Sequence, residues 1–321
     1  MGAYPRTLRE LEAAFPGDEA CREYLARLRW PEGFVCPACK GRKAWVARRG
    51  LWVCSSCGHQ ASATAGTIFH DTRLPLSIWL RAIWWVTSQK TGASALGLQR
   101  VLGLSSYRPA WSLLHKLRRA MVRPGRDRLN GVVEVDETFV GGVEPGGGRR
   151  HIGKKALVAV AAEVRGRAIG RIRLHRIHDS SADSLMPFVQ QAVAPGARVI
   201  TDGLATYLGL PALGYRHSRK LILGDPGKAT SLLPRVHRVA SLLKRWLLGT
   251  HQGGVSREHL DYYLDEFTFR FNRRSSRHRG LLFYRLLENA MAIAPVPYKS
   301  IIKGVRGRPT GRSPTGRGYW S

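Results

Sequence analysis

Three carboxylates, Glu134, Asp136 and Glu137, stand together in the stretch VVEVDETFVGG (132–142), an apolar, strand-like run that breaks at Gly141-Gly142. Side chains alternate along a strand, so Glu134 and Asp136 are expected to share a face while Glu137 points away. A carboxylate on a buried strand needs a partner, and a divalent cation neutralises several at once. Asp202 closes a second strand-like segment, ARVITDG (197–203), again just before a glycine. Two aspartates converging at the ends of neighbouring strands give the geometry that holds Mg2+ for phosphoryl transfer. Taken singly, each aspartate also reads as a turn or helix-cap residue.

A different chemistry is written in CPAC (36–39) and CSSC (54–57). Two C-x2-C knuckles at this spacing offer four thiolates, Cys36, Cys39, Cys54 and Cys57, for one tetrahedral site. Val35 and Trp52-Val53 are expected as strands leading into the knuckles, with Gly41 and Gly58 in the tight turns. A closed set of four thiolates leaves no position for substrate, so a zinc held there is structural. The other reading is two disulfides or unrelated thiols. The N-terminus, MGAYPRTLRELEAAF, has no apolar core of a secretory signal, which argues for a reducing cytoplasm and against disulfides. Cys21, the fifth cysteine, is expected as a packed core thiol.

The third element is PRVHRVASLLKRWLLGTHQGG (234–254). Val236, Val239, Ala240, Leu243 and Leu247 make one apolar stripe of a helix beginning near Pro234, and His237, Ser241 and Lys244 share another edge. Packed on a sheet, this helix aims the polar row at the two aspartates; otherwise the row is an ordinary solvated face.

The elements that must position these residues are legible from periodicity. Helical pattern covers 6–28, the Trp-rich 75–121, 183–193, 232–248 and most of 257–290. Strands are expected at 132–140, 156–164, 168–177, 199–202 and near 215–223. Turn formers at 123–131 mark a domain boundary. The fold class expected is α/β, a mixed sheet flanked by helices, preceded by a small four-cysteine ribbon and a helical segment. The domains run 1–33 (helical), 34–62 (ribbon), 75–122 (helical, helix-turn-helix-like), 131–295 (catalytic) and 296–321 (a basic flexible tail).

Charge points to the partner. Fifty-two Lys and Arg face 22 Asp and Glu in 321 residues, a formal charge of +30. Such a surface needs a polyanion, and nucleic acid leads. No apolar run approaches the ~18 residues of a membrane span. In TGASALGLQRVLGLSSYRPAWSLLHKLRRAM (91–121) two short helical patterns meet at Leu102–Ser105, with Ser105 or Ser106 as cap of the second. Read as a helix-turn-helix, it presents Ser106, Tyr107 and Arg108 to base edges and Lys116, Arg118 and Arg119 to phosphates. Read plainly, it is a helical hairpin.

Together CPAC…CSSC, VDETFVGG, VITDG, VHRVASLLKRWLLGTHQG and HLDYYLDEFTFRFNRR cover nearly the whole chain. The chain resembles insertion-sequence transposases that join an N-terminal zinc ribbon to an RNase H-like, Asp-Asp-Glu-type catalytic core. The resemblance implies that Asp136 and Asp202 are the catalytic aspartates. Related transposases place a Glu about 35 residues after the second Asp and a Lys seven further on. Here His237 and Lys244 hold those positions, a variation in a group that often replaces the Glu with Asn. An imidazole there suits Mn2+ better than Mg2+; Glu134, Glu258 and Glu266 are alternative third carboxylates.

What the resemblance implies is concrete. Asp136 and Asp202, with His237, hold two divalent ions about 4 Å apart, Mg2+ or Mn2+, which clamp the attacking and leaving oxygens of an in-line displacement. Lys244 holds DNA beside the scissile bond, and Arg273 and Arg274 in the arginine-rich C-terminal part grip phosphates. The partners are double-stranded DNA, both element ends and target, and further copies of the chain in a homo-oligomer on DNA. The setting is a bacterial cytoplasm, at the nucleoid, with no membrane. The rival reading is a non-catalytic zinc-ribbon DNA binder or a decayed transposase.

Overall fold

In the computed structural model, residues 5–48, 50–123, 125–141, 155–221, 232–276 and 279–303 are described. The glycine-rich basic loop around 143–154 and the basic tail from 304 lie outside them. The chain forms two compact units: Met1–Pro124 with Ser276–Ser321, and Gly125–Ser275.

In the first unit, helices α1 (Leu8–Ala14) and α2 (Asp18–Arg29) precede strands β1 (Ala44–Val46), β2 (Trp52–Cys54) and β3 (Gln60–Ala61), an antiparallel ribbon in the order β1-β2-β3. Three helices follow: α3 (Leu76–Ser88), α4 (Ala95–Leu102) and α5 (Tyr107–Ala120). Asp18 ties α3 to α2, since its carboxylate accepts from the Leu76 and Ser77 N–H groups, both at 3.0 Å. These donors at a helix start have no intrahelical acceptor, so a carboxylate there both satisfies them and meets the positive end of the helix dipole.

The second unit is the mixed sheet. Its strands are β4 (Val132–Val140), β5 (Ala156–Arg165), β6 (Ala168–Ile177), β7 (Arg198–Thr201) and β8 (Arg216–Arg219). Their order is β6-β5-β4-β7-β8; β4, β5 and β6 pair antiparallel, while β7 and β8 run parallel to β4. The near-continuous apolar run of β5, ALVAVAAEV, reflects a central strand covered on both faces. Helix α6 (Ala182–Ala192) covers one face with Leu185, Phe188 and Val189 against Val133, Val135, Leu157 and Ala159. On the other face lie α7 (Pro234–His251) and α8 (Leu260–Asn272). Val236, Val239, Leu243 and Leu247 of α7 are buried with Val158, Val160 and Ala162 of the sheet. Each such side chain contributes about 1.5–3 kcal/mol by leaving water.

Two sequence expectations change here. The sheet unit, expected to run to 295, closes at Ser275: helix α9 (Arg279–Ala292) joins the first unit, where Phe283 packs near Phe15 and Tyr284 near Tyr24. Its buried row Phe283, Leu286, Leu287 and Ala290 meets α3, an apolar stripe that periodicity cannot assign to one core over another. A last short helix, α10 (Tyr298–Ile302), stands where a flexible tail was expected to start. Among the described residues no helix is long and apolar enough to cross a membrane.

Candidate active site

Register builds the site. β4 and β7 are parallel with Val132 opposite Arg198, Val133 opposite Val199 and Glu134 opposite Ile200. Two residues further along both chains stand Asp136 and Asp202, so the same two-residue period puts both on one face, at the tip of β7. β7 ends at Thr201, and the turn beyond is fixed by side chains. The Asp202 Oδ1 accepts from Leu204 N–H at 3.0 Å, and the buried Thr201 hydroxyl donates to the Asp202 carbonyl while pairing with His217 Nε2 at 2.9 Å.

Helix α7 brings the third side of the site. Glu134 is 2% exposed, and its Oε2 accepts from the N–H groups of Arg235 (2.7 Å) and Val236 (3.1 Å) while its Oε1 pairs with the Arg235 guanidinium at 2.9 Å. The strand thereby grips the first turn of the helix, and His237, one residue on, sets its Nε2 3.6 Å from Asp136 Oδ2.

The result is an open cleft of about 310 Å3 lined by Asp136, Glu137, Phe139, Asp202, Lys220, Leu232, Leu233 and His237. Of the residues singled out from sequence, Asp136, Asp202 and His237 therefore border one cleft. Lys244 does not line the cleft: seven residues at a 1.5 Å rise carry it about 10 Å along α7 from His237. Burial, and then the neighbouring Lys155 ammonium, lower its pKa. None of the alternative third carboxylates arrives. Glu134 is committed to α7, Glu266 is fully buried against Arg270 at 2.8 Å, and Glu258 is not among the cleft's residues.

Two cleft residues escaped the sequence reading, Glu137 and Lys220. Alternation sends Glu137 to the opposite face from Asp136, and so it does; but β7 pairs with β4 only as far as Glu134. Beyond that point the edge of β4 is open, and side chains from both faces border the same notch. The phenol of Tyr207, in the turn after β7, donates to Glu137 Oε2 at 2.8 Å. The signal was present as a third acid in the same strand, set aside because alternation points it away from Asp136.

The electrostatics are those of crowded, partly buried acids. Burial foremost, then the Asp202 and Glu134 charges, push Asp136 up to about 7; burial, then Asp136 and Asp202, push Glu137 up to about 7. Both groups hold protons in the fold at a pH where the unfolded chain has lost them. They therefore contribute stability that is full below about pH 4 and lost as pH rises through about 7. The metal-free protein is expected to lose on the order of 3 kcal/mol between pH 5 and 8, since each tenfold gain in proton affinity on folding is worth about 1.4 kcal/mol before mutual coupling is discounted. Urea melts across that range check it: Asp136→Asn should flatten the slope, and an unchanged slope contradicts the assignment.

The ribbon holds the second site. Sγ atoms of Cys36 and Cys57 lie 3.7 Å apart and those of Cys39 and Cys54 3.5 Å, and all four fall within 4.8 Å of one another. A tetrahedral zinc with Zn–S near 2.3 Å has sulfurs about 3.8 Å apart, so the four fit a structural zinc. The Ser56 N–H, opposed by burial, holds the Cys54 thiol down to about 6, as a thiolate ligand requires. Among the described residues this is the one group of three or more His, Cys, Asp or Glu ligand atoms drawn that tightly together; the cleft acids stand further apart. Local details differ from expectation. Val35 is not in a strand, β1 follows the first knuckle, and Lys40 (φ 66°) rather than Gly41 takes the left-handed position. Gly41 is needed for space: a Cβ there would stand 2.9 Å from Ser56 Oγ and 3.2 Å from Cys54 Sγ. Metal analysis of the purified chain is expected to find one zinc per chain, lost on Cys36→Ser; retention after that change would refute the site. Cys21 is a buried thiol, pushed up to about 11 by burial.

The nucleic-acid residues divide. α4 ends at Gly103 in the left-handed region (φ 62°) and Ser106 caps α5 in position, though without a side-chain hydrogen bond. Tyr107 and Arg108 are exposed at the start of α5, where Arg108 Nε donates to the Tyr298 hydroxyl at 2.6 Å. Arg118 and Arg119 correct the expectation of phosphate contacts: they are 1% and 5% exposed, on helical rows with Leu114 and His115 that turn inward. Lys116 is half-buried over the Trp79 ring. Arg273 and Arg274 stack on Phe269 and Phe271 at 4.1 and 4.0 Å, and Arg274 also donates to backbone carbonyls of Phe271 and Ile169.

The strand order, three antiparallel strands followed by two parallel ones with helices on both faces, defines an RNase H-like domain, with acids midway along β4 and just past the end of β7. Family comparison says which kind. Residues 128–272 match the ISXO2-like transposase domain and residues 16–60 the transposase zinc-ribbon domain. The chain belongs to the insertion-sequence transposases that pair these two domains. It is 24% identical over 280 residues, 80% of this chain and 91% of the relative, to an uncharacterized protein in transposable element ISH50 of Halobacterium salinarum (strain ATCC 700922 / JCM 11081 / NRC-1). Solved structures similar to it include the catalytic core domain of BIV integrase (TM-score 0.28, 14% identity, 47% of this chain and 86% of that one). A second is the simian T-cell lymphotropic virus intasome in complex with PP2A regulatory subunit B56 gamma (TM-score 0.30, 14% identity, 59% of this chain and 64% of that one).

Proposed function

We propose that this transposase cuts DNA at the ends of its element and joins those ends to target DNA, with Asp136, Asp202 and His237 as its active centre. The β4–β7 register carries the reading, because it sets two carboxylates distant in the chain on neighbouring strands, Asp136 midway along β4 and Asp202 just past the end of β7, with an imidazole beside Asp136. The donor set, carboxylate oxygens with one imidazole, fits Mg2+ or Mn2+. Asp136, Asp202 and His237 would hold such ions, which supply Lewis-acid stabilisation of charge on the attacking and leaving oxygens.

The chain's own residues position the reactants. The cleft is open, as a scissile phosphodiester on a duplex requires, and Lys220 lines it to meet a phosphate oxygen. Lys244, further along α7, and the neighbouring Lys155 continue the positive path for the strand. Water attacks phosphorus in the first step, leaving a strand with a free 3′-hydroxyl and a 5′-phosphate. That 3′-hydroxyl attacks a target phosphodiester in the second, forming one ester and releasing the target's own 3′-oxygen with a proton. Ribbon and helix-turn-helix read the terminal repeats, and a formal charge of +30 makes the binding steeply salt-dependent. Two ends must be held at once, so the active form is a homo-oligomer on DNA, at the nucleoid of a bacterial cytoplasm.

The direct test is a duplex carrying the element end, incubated with full-length chain and Mg2+ or Mn2+. Metal-dependent nicking at the end supports the reading. A chain that binds the duplex yet yields no product with either ion is a DNA-binding regulator, the alternative favoured by an imidazole in place of the third carboxylate.

A further inference from the structure

We propose that Glu137 is the third carboxylate of the cation site in the cleft, held in place by the Tyr207 hydroxyl. The proposal rests on the reading of Asp136 and Asp202 as cation ligands and adds a residue to it.

The first observation is a contrast within one unit. Four of its buried acids are matched to an arginine: Glu134 to Arg235 at 2.9 Å, Glu163 to Arg171 at 2.7 Å, Glu266 to Arg270 at 2.8 Å and Asp261 to Arg176 at 3.3 Å. Glu137 is matched to none among the described residues. It lines the cleft with Asp136 and Asp202, and among the described residues neither of those has a cationic side chain within ion-pair reach except His237 at 3.6 Å. A carboxylate taken out of water costs several kcal/mol unless paired, and a divalent cation in the cleft would offset that cost for Asp136, Glu137 and Asp202 at once.

The second observation is the hold on Glu137. Tyr207 is fully buried among Leu185, Phe188 and Leu210, and its hydroxyl donates to Glu137 Oε2 at 2.8 Å. Oε1 accepts no hydrogen bond from another of the described residues, leaving one oxygen fixed and the other available. That is the arrangement of a ligand oriented by an outer hydrogen-bond donor. Glu137 follows Asp136 directly, so the two reach the notch from opposite faces of β4 and bracket whatever sits there.

Isothermal titration of Mn2+ into the zinc-loaded full-length chain tests this, with cleavage of element-end DNA followed in parallel. Glu137→Gln, which keeps shape and removes charge, is expected to weaken Mn2+ binding by about 10–100-fold, and Tyr207→Phe by about 10-fold through loss of the orienting donor. His237→Glu added to Glu137→Gln returns a negative charge to the cleft and is expected to recover most of the Mn2+ affinity, which a merely structural Glu137 would not allow. Wild-type Mn2+ affinity in Glu137→Gln, with affinity lost in Asp136→Asn, overturns the role of Glu137 and leaves the site reading standing. Affinity retained in Asp136→Asn as well overturns that reading itself. Should Glu137→Gln fail to fold, Tyr207→Phe carries the test, and an unaltered Mn2+ affinity there refutes the proposal.

Discussion

Asp136→Asn and Asp202→Asn are each expected to lower strand cleavage by about 10^3-fold or more, the scale seen when one preorganised electrostatic contact is removed from a transition state. The asparagine keeps the shape of the side chain and one oxygen, so the cleft survives while the charge does not. What makes the result diagnostic is its companion. Asp136 is pushed up to about 7 mainly by burial, so the metal-free fold at pH 8 is carrying a strained charge that the substitution removes. The variant should therefore be inactive and yet melt at a temperature equal to or above that of the parent at pH 8. DNA binding, assigned under the proposed function to the basic surface and the ribbon, should be unchanged at fixed salt. An ordinary structural aspartate gives the reverse pattern, lower melting with proportionate loss of activity. Cleavage that persists in the double substitution removes both residues from the active centre.

The sequence carried the site unevenly, and the reason lies in which periodicities are local. Asp202 was readable because it closes an apolar strand; Asp136 was expected at a strand end as well, but β4 runs on to Val140, and it is the parallel register of β4 and β7 that brings both acids to one cleft. His237 was readable because the stripe Val236, Val239, Leu243, Leu247 fixes how α7 lies on the sheet. Lys244 shared a polar edge with it, but a helix carries its residues along its axis as well as around it, and only the first turn reaches the strand tips. Glu137 does point to the opposite face, as alternation requires; what alternation could not show is that β7 stops pairing with β4 at Glu134, so that side chains from both faces border one cleft. Arg118 and Arg119 show the opposite failure. Two arginines at the end of an amphipathic helix look solvated, and only the packed structure reveals that both are buried. The boundary at 295 failed likewise, since the apolar row of α9 is compatible with either core until the partners Phe15 and Tyr24 are known.

Glu134 ties these levels together, and its removal is the second large effect. Two residues before Asp136 on the same face, it is 2% exposed and accepts three hydrogen bonds, two from backbone N–H groups at the start of α7 and one from the Arg235 guanidinium. Glu134→Ala leaves that guanidinium and two helix-end donors without their acceptor in a desolvated setting, a loss of about 3–5 kcal/mol. For a unit of this size each kcal/mol is worth roughly 2–4 °C, so melting should fall by roughly 6–20 °C. Glu134→Gln keeps an amide oxygen for the backbone donors but turns its NH2 toward one of the existing donors, and should fall between. Arg235→Met in the Glu134→Gln background removes the unmatched charge and is expected to recover part of the stability, the coupling a double-mutant cycle isolates. Because the same carboxylate sets the first turn of α7, the Glu134 variants should also loosen His237 relative to Asp136, and their residual cleavage should demand more divalent ion than the parent does. A Glu134→Ala protein that melts within about 1 °C of the parent would mean that the strand does not hold the helix, and the placement of His237 beside Asp136 would then need another cause.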